Sequence, residues 1–197
     1  MSTDGGLHVG IFVFDEADEL DVVGPFEVFT AWSGCSELRP HVSTFSWTGD
    51  GVRLAGGLRM LPHRSADDVG PLHLLVHPGG WGTRSLLEDS SHLEWLRAVR
   101  AQTPIVASVC TGALVLAAAG LLAGRPATTH HDHYDDLARL DPSTVVDSEA
   151  RFVDDGDVVT SAGVSAGIDM ALHLVTRLES GTAAAAVRHA LQYDAPA

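Results

Sequence analysis

Apolar runs and helical patterns alternate along this chain from one end to the other. The run at residues 7–14 is continuous, as expected for a strand that is covered on both faces. Together the apolar runs predict strands at residues 7–14, 41–48, 72–77, 104–109 and 157–163. Residues 53–63 predict a hairpin around Gly56 and Gly57, and residues 126–131 predict one more short strand.

The segments between these strands have the spacing or the composition of helices. Helices are predicted at residues 24–32, 91–102, 111–124, 165–180 and 182–193. Pro25 falls in the first turn of the first helix, a position where proline is well tolerated. Because strands alternate with helices, the pattern predicts an α/β protein with a mainly parallel central sheet.

Length and charge limit what the chain can be. Its 197 residues suit a single domain, residues 1–197, with a substantial core. Twelve basic and 26 acidic residues give a formal net charge of −14, which argues against nucleic acid or an anionic membrane as the main partner. No signal peptide is evident, and the longest apolar stretch, near residues 113–123, is too short to span a bilayer. We therefore expect a cytoplasmic protein whose two cysteines stay reduced.

Three chemically distinctive segments each follow a predicted strand. The acidic residues 15–21 follow the first strand, the sequence HPGGWG follows the strand at 72–77, and Cys110 follows the strand at 104–109. In parallel α/β sheets, ligands bind beyond the carboxyl ends of the strands. We therefore expect the three segments to meet at one edge of the sheet and to form a site there.

Cys110 occupies a sharp turn from strand to helix, in the sequence SVCTG. The free amides and the positive dipole at a helix start favour an anion, so this position predicts a nucleophilic thiol with a lowered pKa. The alternative is a structural cysteine, since free cysteines are commonly buried. Cys35 lies in a polar connection without such a setting, and we interpret it as incidental.

Asp21 is the best candidate for an acid beside that thiol. It lies between Leu20 and Val22, where the chain turns inward, whereas most of the neighbouring acidic residues are expected to be solvated. A carboxyl group next to a thiolate has a raised pKa, so it can stay protonated and act as a general acid. Glu27, in the following helix, is the competing candidate.

The glycine loop at residues 77–82 leaves several backbone amides able to converge on one spot. Together with the amide that follows Cys110, the amides of Gly79 and Gly80 predict an oxyanion-type site for a substrate. Trp81 is either a wall of an apolar substrate pocket or a core residue.

The histidine-rich sequence THHDHYDD, residues 129–136, contains possible metal ligands. Its spacing matches neither the helical i, i+4 pair nor a zinc finger, so we expect no metal. A single histidine that lines the site, such as His130, is the preferred interpretation. No phosphate-binding glycine motif is present, so no nucleotide or other cofactor is expected.

Four ordered motifs resemble the ThiJ/PfpI superfamily: LDVVGPFEVF, HPGGWG, SVCTGALVLAAAGLLAGRPATTHH and VVTSAGVSAGIDMALHLV. The similarity covers nearly the whole chain. It implies a three-layer sandwich of the flavodoxin-like and class I glutamine amidotransferase-like kind, and commonly a homodimer. Within the superfamily, the resemblance is strongest to isonitrile hydratases and to the sensing domain of AraC-type regulators.

For the hydratases, the resemblance implies that Cys110 attacks the isonitrile carbon with the help of Asp21 and the hydroxyl of Thr111. Peptidase-like and glyoxalase-like members usually have histidine after the cysteine and glutamate as the acid, so this chain departs from both. We therefore expect an isonitrile hydratase-like enzyme that acts on a small molecule without a cofactor. The alternatives are a stand-alone ligand-sensing or redox-sensing domain, or another cysteine hydrolase or glyoxalase of the superfamily.

Overall fold

The computed structural model describes residues 6–193, so the predicted single domain of residues 1–197 extends beyond it at both ends. The strands are β1 (His8–Phe12), β2 (His41–Ser46), β3 (Val52–Arg53), β4 (Arg59–Met60), β5 (Arg64–Ser65), β6 (Leu74–His77), β7 (Ile105–Val109), β8 (Pro126–Ala127), β9 (Val145–Val146), β10 (Phe152–Asp154) and β11 (Val158–Ser161). The helices are α1 (Glu19–Cys35), α2 (Thr83–Glu88), α3 (Ser90–Arg100), α4 (Gly112–Ala118), α5 (Tyr134–Leu140), α6 (Ala166–Leu178) and α7 (Gly181–Leu191).

A seven-stranded sheet, in the order β10–β11–β7–β6–β1–β2–β5, forms the centre of the molecule. Its neighbouring strands run parallel, except that β10 is antiparallel to β11. Strands β6, β7 and β11 are buried along their full length. This burial explains why these strands are continuous apolar runs in the sequence.

Helices form two groups around the sheet. Helices α1, α6 and α7 pack on one another, while α2, α3, α4 and α5 form a second connected group. The expected α/β sandwich with a mainly parallel sheet is therefore confirmed. Within residues 6–193, no helix is both long and apolar enough to cross a bilayer.

The strand order reverses between β1 and β6. From β1 the chain proceeds to β2 on one side, and from β6 it proceeds to β7 on the other. Open α/β sheets bind ligands outside the carboxyl ends of the strands at such a reversal. The acidic segment leaves β1 at this edge, the glycine loop leaves β6, and Cys110 leaves β7, so the expected convergence is confirmed.

The first helix begins earlier than predicted. It begins at Glu19 rather than at residue 24, so the prediction that Pro25 lies in the first turn is wrong. Asp18 is the N-cap, and its carboxylate accepts the Leu20 N–H at 3.1 Å. An aspartate cap followed by acidic residues is typical of a helix start, because both favour the free amides and the dipole there.

Other boundaries also differ from the predictions. The helix predicted at 111–124 ends at Ala118, and Gly120 follows with φ +77°, a left-handed conformation that suits glycine at a helix end. The strand predicted at 126–131 is only Pro126–Ala127. The hairpin predicted at 53–63 is present as the antiparallel pair β3 and β4. Five short elements with weak periodic patterns were not predicted from the sequence, namely α2, α5, β5, β9 and β10.

Gly112 allows α4 to start directly against β6. A Cβ at this position would lie 2.4 Å from the His77 carbonyl oxygen, and this atom belongs to backbone that cannot move aside. We expect Gly112→Ala to lower the free energy of unfolding by about 2 kcal/mol, the usual effect of overpacking. Urea unfolding measures this. The matched control is Gly34→Ala, in α1, where a Cβ meets nothing within 4 Å and stability should not fall. Equal stability of the Gly112 variant and the control would contradict the close packing.

Candidate active site

Cys110 forms a strained turn between β7 and α4. Its φ is +56°, in the left-handed region that non-glycine residues rarely adopt. The Cys110 N–H reaches the carbonyl oxygens of Ser161 and Ala162, each at 3.2 Å, and the Thr129 hydroxyl donates to the Cys110 carbonyl at 2.8 Å. The backbone of the turn is thus fixed from both β11 and the segment after β8. Such strain, when the surroundings enforce it, is typical of a functional site.

Two backbone amides interact with the thiol itself. The N–H groups of Thr111 and Val164 both act to lower the pKa of the Cys110 thiol. Val164 also has a positive φ, +48°, so a second non-glycine residue is held in the left-handed region next to the sulfur. The sequence analysis predicted the Thr111 amide but missed Val164. Its motif, SAGVSAG, contributed to the family resemblance, but nothing in it indicates that a valine adopts this conformation.

Asp21 is fully buried in the first turn of α1. Its Oδ2 accepts the Gly79 N–H at 2.9 Å, while Oδ1 makes no hydrogen bond within residues 6–193. Burial, and then the charge of Asp18, raise the pKa of Asp21 to about 8. Asp21 is therefore protonated at neutral pH, as the sequence analysis expected. Because Oδ2 already accepts an N–H, we assign the proton to Oδ1.

The pKa of Cys110 is opposite to the prediction. Burial, and then the charge of Asp21, raise the pKa of the thiol to about 12, although the N–H groups of Thr111 and Val164 act in the other direction. The expectation of a lowered pKa is therefore wrong. The reason is that the side chain is only 6% exposed, so desolvation of the anion outweighs the two amides and the helix start.

The backbone N–H groups of Gly79 and Gly80 are not free, because each donates a hydrogen bond to a side chain. The Gly79 N–H is bound to Asp21, and the Gly80 N–H donates to the Thr111 Oγ1 at 3.0 Å. The expectation that these amides are unengaged is therefore wrong. A Cβ on Gly79 would lie 2.6 Å from the Thr111 nitrogen and 2.9 Å from Asp21 Oδ2, so only glycine allows the loop to approach the site this closely.

Thr111 joins the glycine loop to α2. Its hydroxyl accepts from Gly80 and lies 3.4 Å from the Thr83 hydroxyl, which donates to the Gly80 carbonyl at 2.7 Å. Both threonine side chains are buried. Cys110, Asp21, Thr111, Gly79 and Gly80 are thus brought together, which is the group of residues that the sequence analysis predicted.

His130 lies beside this group without being bonded to the sulfur. A Cβ on Gly163 would lie 2.3 Å from His130 Cδ2, so the ring packs directly against the backbone next to Val164. Its pKa is lowered, mainly by burial. The side chain of Trp81 is 67% exposed, with the Arg84 guanidinium 4.7 Å from its ring centre, so it is not a core residue.

The remaining candidates are Glu27, Cys35 and the possible metal ligands near His130. Glu27 is exposed, so it does not compete with Asp21. Cys35 is an exposed free cysteine. The ligand atoms of His130, His131 and Asp132 lie within 4.8 Å of one another, a spacing that a metal ion could use, and two of these residues are exposed. The expectation of no metal stays a prediction.

A buried pair of histidines, His77 and His92, lies at the start of the glycine loop. This pair was not predicted from the sequence. His77 Nδ1–H donates to the Pro78 carbonyl at 2.9 Å, so its Nε2 accepts from His92 Nε2 at 3.1 Å. Burial lowers the pKa of His77 to about 3 and that of His92 to about 4, so both rings are neutral at pH 7. The two histidines are fifteen positions apart in the sequence, and no pattern indicated that they are in contact.

The family of the chain follows from comparison with known proteins. The model of the DJ-1/PfpI family matches residues 8–177. The chain belongs to the DJ-1/PfpI family. The matched region contains β1, α1 and the strand-to-helix turn at Cys110, and therefore every residue of the site described above.

Individual relatives in this family differ in function. An isonitrile hydratase from Pseudomonas putida is 38% identical over 191 residues, which cover 97% of this chain and 80% of the relative. The HTH-type transcriptional regulator GbdR from Pseudomonas aeruginosa is 30% identical over 87% of this chain, which spans 46% of the regulator. The crystal structure of a ThiJ/PfpI family protein from Pseudomonas syringae aligns with a TM-score of 0.87 and 30% identity, over 98% of this chain and 77% of that one.

The raised pKa of Asp21 makes stability depend on pH. Between the carboxyl pKa of the unfolded chain, near 4, and about 8 in the fold, the folded state binds one more proton, so stability falls as the pH rises through this window. Asp21→Asn removes this effect. We expect its stability relative to the wild type to rise from pH 4.5 to pH 8 by about 2 kcal/mol or more, since each unit of pKa difference corresponds to about 1.4 kcal/mol.

Urea unfolding at pH 4.5, 6 and 8 measures this dependence. Glu27→Gln, an exposed carboxyl group on the same helix, is the matched control and should show no such trend. A stability difference between Asp21→Asn and the wild type that stays constant with pH would mean that Asp21 is ionised in the folded state.

Proposed function

We propose that this protein is an isonitrile hydratase-like enzyme, which converts R–N≡C and water to the formamide R–NH–CHO. One observation carries the proposal: a buried, protonated Asp21 lies beside a protonated Cys110 thiol at a strained strand-to-helix turn. The terminal carbon of an isonitrile must receive both a proton and a nucleophile, and this pair supplies both. The 38% identical isonitrile hydratase, over 97% of this chain, supports the same reaction.

In the first step, Asp21 gives the proton on Oδ1 to the terminal carbon, and Cys110 Sγ forms a bond to the same carbon. The thiol proton passes to the Asp21 carboxylate, so the acid is regenerated and no free thiolate needs to exist beforehand. The product is a thioimidate, R–N=CH–S–Cys110. This order agrees with the raised pKa of both groups, because neither bears a lasting charge in the buried site.

In the second step, water adds to the thioimidate carbon, and the nitrogen receives a proton. The carbon–sulfur bond then breaks, Cys110 recovers its proton through Asp21, and R–NH–CHO leaves. The N–H groups of Thr111 and Val164 stabilise negative charge that develops on sulfur when this bond forms and breaks. Thr111 contributes further by fixing the Gly80 loop through its hydroxyl.

Turnover of cyclohexyl isonitrile, followed by NMR of the formamide, tests the proposal. We expect Cys110→Ala to abolish turnover and Asp21→Asn to reduce it roughly 10²-fold or more, the usual contribution of a general acid. Thr111→Val should reduce turnover by about tenfold, which corresponds to the loss of one hydrogen bond. Cys35→Ser is the matched control, because that thiol is exposed and outside the site. Full activity of Cys110→Ala would refute the mechanism, and an inactive wild type would refute the function.

The pH profile provides an independent check. Because Asp21 must be protonated and its pKa is about 8, we expect kcat/KM to fall as the pH rises above 8. The measurement is kcat/KM for the same isonitrile between pH 6 and 9.5. A rate that increases steadily over this range would indicate instead that the thiolate form of Cys110 is the reactive species.

Ligand sensing is the second candidate function, and the match to GbdR over 87% of this chain favours it. Sensing would need the same buried site but no turnover. Ligand sensing would be supported if an isonitrile binds and protects Cys110 from alkylation but is not converted to a formamide. Redox sensing is less favoured, since a thiol with a raised pKa is slow to oxidise. In either role we propose a homodimer in the cytoplasm that acts on a small molecule.

A further inference from the structure

Arg84 in α2 is the arginine that contacts the glycine loop of the site. Its Nη1 donates to the Gly80 carbonyl and to the Thr83 hydroxyl, both at 3.1 Å. Thr83 lies against Thr111, the residue that follows the nucleophile. Direct contacts therefore join the guanidinium through the Thr83 hydroxyl to the hydroxyl of Thr111.

The guanidinium keeps donors available for a ligand. Nη2 contacts His133 Nε2 at 3.2 Å, and because arginine cannot accept, the histidine nitrogen is the acceptor. The Nε–H and one Nη2–H make no hydrogen bond within residues 6–193, and no carboxylate there lies within ion-pair distance of Arg84. Five other arginines do form ion pairs with carboxylates, namely Arg100, Arg125, Arg139, Arg151 and Arg177.

Trp81 adds an apolar surface to this cation. Its ring is stacked under the Arg84 guanidinium at 4.7 Å and is otherwise 67% exposed. Stacking on an aromatic ring fixes the plane of a guanidinium, and a fixed plane suits the two oxygens of a carboxylate. The exposed indole of Trp81 can thus contact a carbon chain, while the adjacent guanidinium of Arg84 can bind an anion.

Asp18, an acidic residue near the site, limits where an anion can bind. The negative charge of Asp18 acts to raise the pKa of Asp21, Cys110 and His130. The charge therefore acts on the thiol. Its carboxylate is occupied as the cap of α1. A negatively charged ligand would avoid this side of the site, and Arg84 provides the compensating positive charge next to the glycine loop.

We propose that Arg84 and Trp81 form a substrate-recognition site for a carboxylate, so that the preferred substrates are isonitriles bearing a carboxylate near the N≡C group. The inference rests on the proposed function and names its substrate class. Arg84 binds the carboxylate through its unused N–H groups, Trp81 covers the intervening carbons, and the isonitrile carbon reaches Cys110. Arg84 here determines specificity and takes no part in the proton transfers.

The first experiment compares two isonitriles of similar size, isocyanoacetate and methyl isocyanoacetate, by kcat/KM. We expect the wild type to prefer the carboxylate at least tenfold. Arg84→Gln, which keeps a hydrogen-bond donor but loses the charge, should reverse or abolish this preference, so that kcat/KM falls at least fivefold more for the carboxylate than for the ester. Arg84→Lys should keep part of the preference. Arg97→Gln is the matched control, because Arg97 also binds a backbone carbonyl, that of Ala119, but lies in α3 away from the loop.

A second experiment works without hydratase activity. Iodoacetate and iodoacetamide both alkylate a thiol with loss of iodide, and only the former is an anion. We expect the rate ratio of iodoacetate to iodoacetamide at Cys110 to fall at least fivefold in Arg84→Gln, as measured by peptide mass spectrometry. Cys35 in the same molecule is an internal reference whose ratio should not change.

The outcomes separate the two proposals. If the wild type turns over no isonitrile but the alkylation ratio at Cys110 depends on Arg84, the anion site stands and the hydratase function fails. If both isonitriles are turned over equally well, or if Arg84→Gln slows both to the same extent and leaves the alkylation ratio unchanged, Arg84 is a structural residue and the anion site is refuted.

Discussion

The structure depends on a carboxyl group and a thiol, those of Asp21 and Cys110, that are buried together. Asp21 is held by one N–H, from Gly79, and burial raises its pKa to about 8. The same burial raises the pKa of Cys110 to about 12. Either charge alone would be opposed by desolvation, and both together would also repel each other. Burial therefore favours the uncharged form of the pair below about pH 8, and the proposed reaction moves a proton at the moment of bond formation.

Backbone geometry makes this arrangement possible. Glycine at position 79 lets the loop come within bonding distance of the acid, since a side chain would overlap Thr111 and Asp21. Cys110 and Val164, both with positive φ, direct the sulfur and one of its N–H donors toward each other. The strain at Cys110 is balanced by its hydrogen bonds to the carbonyl oxygens of Ser161 and Ala162 and from the Thr129 hydroxyl. A parallel sheet brings the glycine loop and the Cys110 turn together, because the carboxyl ends of its strands lie at the same edge.

The sequence predicted which residues meet and that the pKa of Asp21 is raised, but it predicted the wrong direction for the pKa of Cys110. The positions of Cys110, Asp21 and the glycine loop after successive strands were sufficient to bring them to one edge of the sheet. The pKa of Cys110 could not be predicted in the same way, because it depends on how completely the thiol is buried, and three-dimensional packing sets this. The start of α1 was missed because Asp18 was interpreted as a solvated charge rather than a cap. The contacts of Arg84 and the pairing of His77 with His92 involve side-chain positions that periodicity does not encode.

The two sides of the site are built differently. On one side, the acidic segment and the glycine loop are joined by main-chain bonds: Asp18 N–H to the Gly79 carbonyl at 3.0 Å, and Gly82 N–H to the Glu16 carbonyl at 3.1 Å. On the other side, the turn at Cys110 is joined to the segment after β8 by a side chain, that of Thr129. Main-chain bonds survive most substitutions, whereas side-chain bonds do not. We therefore expect the acidic segment and the glycine loop to behave as one rigid unit, whereas the connection between the Cys110 turn and the segment after β8 depends on a single side chain, that of Thr129.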